Sequence, residues 1–154
     1  MTDDLVRRLA VAGLVCALTL TGACHHRAAP APVAPAGPSL YERLSGHDAV
    51  ALVVGDFVSR VGADARISAF FRGVDLDELK RLLGEQICQA AGGPCRYSGR
   101  PMRVAHAGLH IRDADFNALV EDLTAALGRY NVPAREQREL LTALGGMRRD
   151  IVGR

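Results

Sequence analysis

His106 is the residue whose surroundings most invite chemistry. It lies in PMRVAHAGLHI, residues 101–111, with Met102 four residues before it and His110 four after. Positions four apart share a face of a helix. Met102 and His106 therefore stand together, and His110 joins them if the helix continues past Gly108. Two imidazoles on one face suggest a metal clamp. Without a third carboxylate or thiolate nearby they make a poor zinc site, and Gly108 is expected to end the helix between them. A lone histidine on an apolar helix face otherwise reads as a hydrogen-bonded core residue. His25 and His26 are adjacent in an Ala/Pro stretch and read as a solvated pair. The chain has no GxSxG, P-loop, HExxH or dinucleotide glycine pattern. Paired carboxylates such as Asp75, Asp77 and Glu78 fall on a face expected to be solvated.

Cysteine is the second source of chemistry. Cys16 and Cys24 are near the start, and Cys88 and Cys95 flank Gly92-Gly93. Arg7 and Arg8 precede the uncharged run Leu9 to Leu20. As a helix that run spans about 18 Å, well short of a hydrocarbon core of about 30 Å. A charged start, a short apolar run and small residues after it match an export signal, here residues 1–24. Thr21-Gly22-Ala23-Cys24 resembles a bacterial lipobox, in which the cysteine is acylated. Thr21 departs from the pattern, which usually has leucine there; Leu20 sits one place earlier. Ordinary cleavage near Ala23 or Ala28, or an uncleaved anchor, would also carry the rest of the chain out of the cytoplasm. Cys88 and Cys95 are then an even pair in an oxidising compartment. The Gly-Gly turn between them could fold Cys95 back into a disulfide, the alternative being two buried thiols.

Residues 25–38, HHRAAPAPVAPAGP, read as a semi-rigid tether, and the domain as residues 39–154. Of the 154 residues 49% are hydrophobic and 23% charged, and the net charge is +2. That balance excludes whole-chain disorder, and a single long apolar run excludes a multi-span membrane protein. Near-neutrality gives no electrostatic case for a nucleic-acid partner.

The elements that must position His106 are helices. Val50, Val53, Val54, Phe57 and Val61 repeat at three and four over residues 48–61. Ile67, Phe70 and Phe71 suit a short turn-like helix. Leu76, Leu79, Leu82, Leu83, Ile87 and Ala90 line one face over residues 75–91, with Asp75 able to cap the first turn. Gly92-Gly93-Pro94 stops that helix, and residues 92–101 read as an ordered loop. A further helix covers residues 113–129, carrying Phe116, Leu119, Val120, Leu123 and Leu127. Pro133 suits the first turn of a last helix that carries Leu140, Leu141, Leu144, Met147 and Ile151. No stretch alternates as a surface strand would.

Set end to end, these stretches resemble a group I truncated haemoglobin, the all-α globin with a two-over-two helical sandwich around haem. SLYERLSGHDAV resembles the family's opening, DFVSRVGADARISAFF its helix B and C region, GGPCRYSGRPM its glycine-rich loop, and VAHAGLHI its proximal-histidine segment. ADFNALVEDLTAAL and VPAREQRELLTALGGMRRDIV resemble its last two helices. The likeness covers residues 39–152. It implies a haem b cofactor whose iron is ligated by His106, with the other ring nitrogen donating to a backbone carbonyl. It also implies that Phe71 packs on the haem, Met102 touches it, Tyr97 sits near a propionate, and Phe57, Ile111 and Phe116 line the pocket. The plain alternative for these six is core packing.

The distal side departs from the family. The helix-B tyrosine that donates to bound oxygen falls on Val58, its partner glutamine on Leu83, and the other gate position on Leu79. None of the three can donate a hydrogen bond. The alignment has no gap from Val58 to His106; a slip of one residue would bring Phe57 or Ser59 into the pocket. The expected activity is binding or sensing of a diatomic gas (oxygen, nitric oxide or carbon monoxide) at haem. Two alternatives stand beside it: a haem-dependent redox enzyme acting on nitric oxide, peroxide or nitrite, and a haem-free helical envelope lipoprotein. An exported, lipid-anchored domain facing the periplasm completes the expectation.

Overall fold

A computed structural model describes residues 37–154. The export signal, Cys16, Cys24, His25, His26 and all but the last two tether residues lie outside the described residues. Ser39 opens the domain with a capping box: its Oγ accepts from the Glu42 backbone N–H at 3.2 Å, and the Glu42 carboxylate accepts from Ser39 N–H at 2.7 Å. Two orphan donors are thus satisfied at once, and a one-turn helix, α1 (Leu40–Arg43), forms where the hydrophobic periodicity gave no signal. Helix α2 (Gly46–Ala63) starts two residues before Asp48 and buries Val50, Val53, Val54, Phe57, Val58 and Val61. A short 3-10 helix, Ser68–Phe71, follows.

Helix α3 (Leu76–Ala90) is capped by Asp75, whose carboxylate accepts from the N–H groups of Asp77 and Glu78. It stops at the glycine pair. A Cβ on Gly93 would lie 2.7 Å from both Cys88 Sγ and Tyr41 Cγ, so only glycine allows the chain to pass this close. Cys88 and Cys95 are joined by a disulfide with their Cα atoms 5.7 Å apart. The loop is also held by Glu85, which accepts from Ser98 N–H at 2.9 Å and from its hydroxyl at 2.7 Å.

Helix α4 (Met102–Ala105) is a single turn. The chain then turns through Gly108, at φ +80°, and His110, at φ +52°. Helix α5 (Asp113–Arg129) has the expected span. Helix α6 (Ala134–Gly145) follows Pro133 but does not reach Ile151 as expected. Gly145-Gly146 ends it, since two glycines in succession carry the largest backbone entropy cost in a helix short of proline. A 3-10 turn, Arg148–Asp150, places Met147 and Ile151 instead.

Helix α2 packs on both α3 and α5, α3 packs on α6, and α5 on α6. This is a two-over-two arrangement of four main helices, with no strand among the described residues. Val54, Ile67, Leu127 and Leu140 are almost wholly enclosed where they meet. Burial of each such side chain is worth about 1.5–3 kcal/mol. Arg43 closes the end of the sandwich, bonding Glu136 at 3.1 Å and Glu139 as well.

Candidate functional site

Between α2, α3 and the loop-α4 segment lies a cavity of about 400 Å³. Its walls follow from helical periodicity. On α2, Phe57 and Val58 face it, each 4% exposed, while Ser59 is exposed outside. On α3, Leu79 and Leu83 are one turn apart on the same wall. Phe71 enters from the 3-10 turn, and Tyr97 from the loop. Met102 and His106 enter from α4 and its C-cap, Ile111 from the turn before α5, and Phe116 from the first turn of α5. All ten side chains nominated around a haem therefore line one cavity. The Val58 register is also the one in which no hydroxyl or amide of α2 reaches the interior.

His106 is half-buried on this wall. Helix α4 ends at Ala105, earlier than Gly108, yet His106 N–H still bonds Met102 O at 3.0 Å and so completes the turn. Its Nδ1 lies 2.8 Å from the same carbonyl oxygen. A carbonyl only accepts, so Nδ1 carries the proton and Nε2 keeps its lone pair. His110 does not share this face. It is exposed beyond the turn, with its N–H bonded to Arg154 O at 2.9 Å, so the two-histidine clamp does not form.

The polar groups gather at the edge of the cavity. Tyr97 is held by its own N–H, which donates to Gln89 Oε1 at 2.7 Å, and its phenol donates to Arg100 O at 3.2 Å. Burial raises its pKa, so the phenol stays a neutral donor at pH 7. Arg100 lies beside it, exposed and lining the opening. Asp115 is almost fully enclosed and accepts from Arg112 Nε and N–H, both at 2.9 Å, and from Nη2 at 2.8 Å. That guanidinium holds its carboxyl down at about 2.

Among the polar lining residues, Arg100, Asp115 and Gln86 were not singled out from sequence. The Gln86 Nε2 lies 3.2 Å from Met102 Sδ and 3.3 Å from Met147 Sδ. The spacing Leu79, Leu83, Gln86 is i, i+4, i+7, so the helical stripe that selected the two leucines points to Gln86 as well.

An apolar chamber, one imidazole with a single free nitrogen, and a cation and a phenol at the mouth fit a flat apolar cofactor with an acidic edge. Comparison with known proteins agrees. Residues 39–152 match the family described as bacterial-like globin, and the chain belongs to that family. It is 36% identical over 113 residues to a group 1 truncated haemoglobin of Mycolicibacterium paratuberculosis, an alignment covering 73% of this chain and 83% of that protein. The truncated haemoglobin of Tetrahymena pyriformis in its Fe(III) form superposes with a TM-score of 0.74 at 30% identity, covering 76% of this chain and all of that one. The 2/2 haemoglobin of Synechococcus sp. PCC 7002, solved in the cyanomet state with covalently attached haem, gives 0.71 at 35% identity over the same shares.

Proposed function

We propose that this domain binds haem b through His106 and takes up a diatomic gas at its iron. The observation that carries this is the His106 imidazole on the cavity wall, its Nδ1 proton donated to Met102 O at 2.8 Å. That bond leaves the Nε2 lone pair free to hold iron and fixes the ring's rotation. Bound there, haem would supply an iron able to take up a small ligand. The chain supplies the rest. Phe57, Phe71 and Phe116 exclude water from the chamber, and Tyr97 and Arg100 offer a hydroxyl and a charge to propionates at its edge. Val58, Leu79 and Leu83 present only hydrocarbon to the gas, so they admit a small apolar molecule without a donor to retain it. The same three side chains cannot move a proton, which disfavours peroxide cleavage. The related proteins named above are haemoglobins, which supports the same reading. Reconstitution with haem should give a Soret band that His106→Ala displaces or abolishes. A chain that takes up no haem, or a band indifferent to His106→Ala, would overturn the proposal.

We also propose that the domain is exported and held at an envelope membrane through acylated Cys24. The support is the sequence of the first 24 residues and a disulfide, Cys88–Cys95, of the kind that persists in oxidising compartments. Cys24→Ser should move the protein from the membrane to the soluble fraction; an unchanged distribution argues against the anchor.

A further inference from the structure

Helix α4 carries the haem histidine but has little to hold it. It is four residues long, none of them buried, and Pro101 offers no side-chain cap. One turn of helix does not persist by itself, because its nucleus costs more than its few hydrogen bonds return. The position of His106 therefore depends on what grips α4 from outside.

The grip centres on Met102. Its carbonyl oxygen takes both the His106 N–H and the His106 Nδ1 proton, at 3.0 and 2.8 Å. Its thioether takes the Gln86 amide at 3.2 Å. The same Gln86 nitrogen reaches Met147 Sδ at 3.3 Å, beyond the end of α6. A carboxamide nitrogen has two hydrogens, one for each sulfur. The reverse orientation would set a carbonyl oxygen against two sulfurs that carry no hydrogen, so the network assigns the nitrogen to this side. Gln86 itself is anchored, because the next two residues, Ile87 and Cys88, are buried and Cys88 is bonded to Cys95.

We propose that Gln86 is a positioning residue for the haem histidine. Its amide ties α4, through Met102, to α3 and to Met147, and so sets the rotation and tilt of His106. This rests on His106 being the axial ligand. The tie also occupies the one amide that α3 brings to the cavity wall, so Gln86 holds the histidine side and does not replace the missing donor to the gas.

The test uses the full chain with haem, in the ferrous ligand-free state, and the variants Gln86→Leu, Met102→Leu and the double. Gln86→Leu should shift the iron–histidine stretching band. It should also speed haem transfer to an apo-globin acceptor by roughly twofold to tenfold, the range that one neutral hydrogen bond supports. For the iron–histidine band the double variant should match Met102→Leu alone, because the amide reaches α4 only through the Met102 sulfur and its second contact, to Met147, acts on α4 through that same link. In the haem-free chain, hydrogen exchange over residues 101–107 should quicken in Gln86→Leu, a readout that stands even if His106 proves not to be a ligand. If Gln86→Leu does not fold, Met102→Leu and Met147→Leu each remove one sulfur and carry the same comparison. An unmoved band with unchanged haem loss and exchange would overturn the proposal, as would effects of the two single changes that multiply in the double. Absence of any iron–histidine band in the unaltered protein would refute the haem reading instead.

Discussion

Leu83→Gln should make the proposed gas pocket more retentive. Leu83 is half-buried on the α3 wall, one turn from Leu79 and across from Val58, which is 4% exposed. None of these side chains donates a hydrogen bond. The Gln86 amide is engaged by two sulfurs, at 3.2 and 3.3 Å. Glutamine nearly matches leucine in volume, so the exchange adds a donor without emptying or overfilling the wall. Val58→Tyr would instead force a ring into a closed position at about 1–3 kcal/mol. A hydrogen bond to a partly charged acceptor is worth about 1.5–3 kcal/mol. At about 1.4 kcal/mol per tenfold, oxygen should leave roughly 10- to 150-fold more slowly. Carbon monoxide, a weaker acceptor, should change far less. Stopped-flow displacement of oxygen by carbon monoxide measures the first, and displacement of carbon monoxide by nitric oxide the second. Two results would refute the reasoning: slow oxygen release in the unaltered protein, or no change in Leu83→Gln.

The disulfide and one strained carboxylate give further expectations. Cys88 and Cys95 are seven residues apart. Closing so short a loop is worth roughly 2–3 kcal/mol in chain entropy, and Cys95→Ser should lose about that in denaturant titration. Two alkylated cysteines on the unreduced domain would show that the bond is absent. Asp122 has an enclosed Oδ2 with no hydrogen-bond partner, and burial together with repulsion from Asp64 raises its pKa. A carboxyl whose folded pKa lies above its unfolded value costs stability as pH rises from the unfolded value through the folded one. Asp122→Asn should therefore stabilise the domain at pH 7, and the gain should fade below about pH 4. A gain that grew at low pH would contradict this sign.

Much of the site was legible because a helix converts spacing into direction. Intervals alone pair Met102 with His106 and Leu79 with Leu83 on their own helices; it was the resemblance to truncated haemoglobins that set these four with Phe57 and Val58 around one pocket. Asp75 announced the start of α3 and Gly92-Gly93 its end. Other features gave no such signal. α1 is one turn long and rests on the Ser39–Glu42 capping box, which leaves no hydrophobic repeat. The end of α6 at Gly145 was hidden because Met147 and Ile151 continue the apolar spacing past the break. Asp115 was not singled out in the sequence, although Arg112, the partner that holds its carboxylate, is only three residues away.

By itself the sequence determined the helices, through residue type and local period, and its resemblance to truncated haemoglobins nominated His106 and the hydrocarbon side chains Val58, Leu79 and Leu83. The structure decided which ring nitrogen of His106 is free, through a contact within its own turn to the Met102 carbonyl oxygen at 2.8 Å. It alone brought Gln86 between Met102 and Met147, residues 16 and 61 positions away, at distances that no local periodicity encodes.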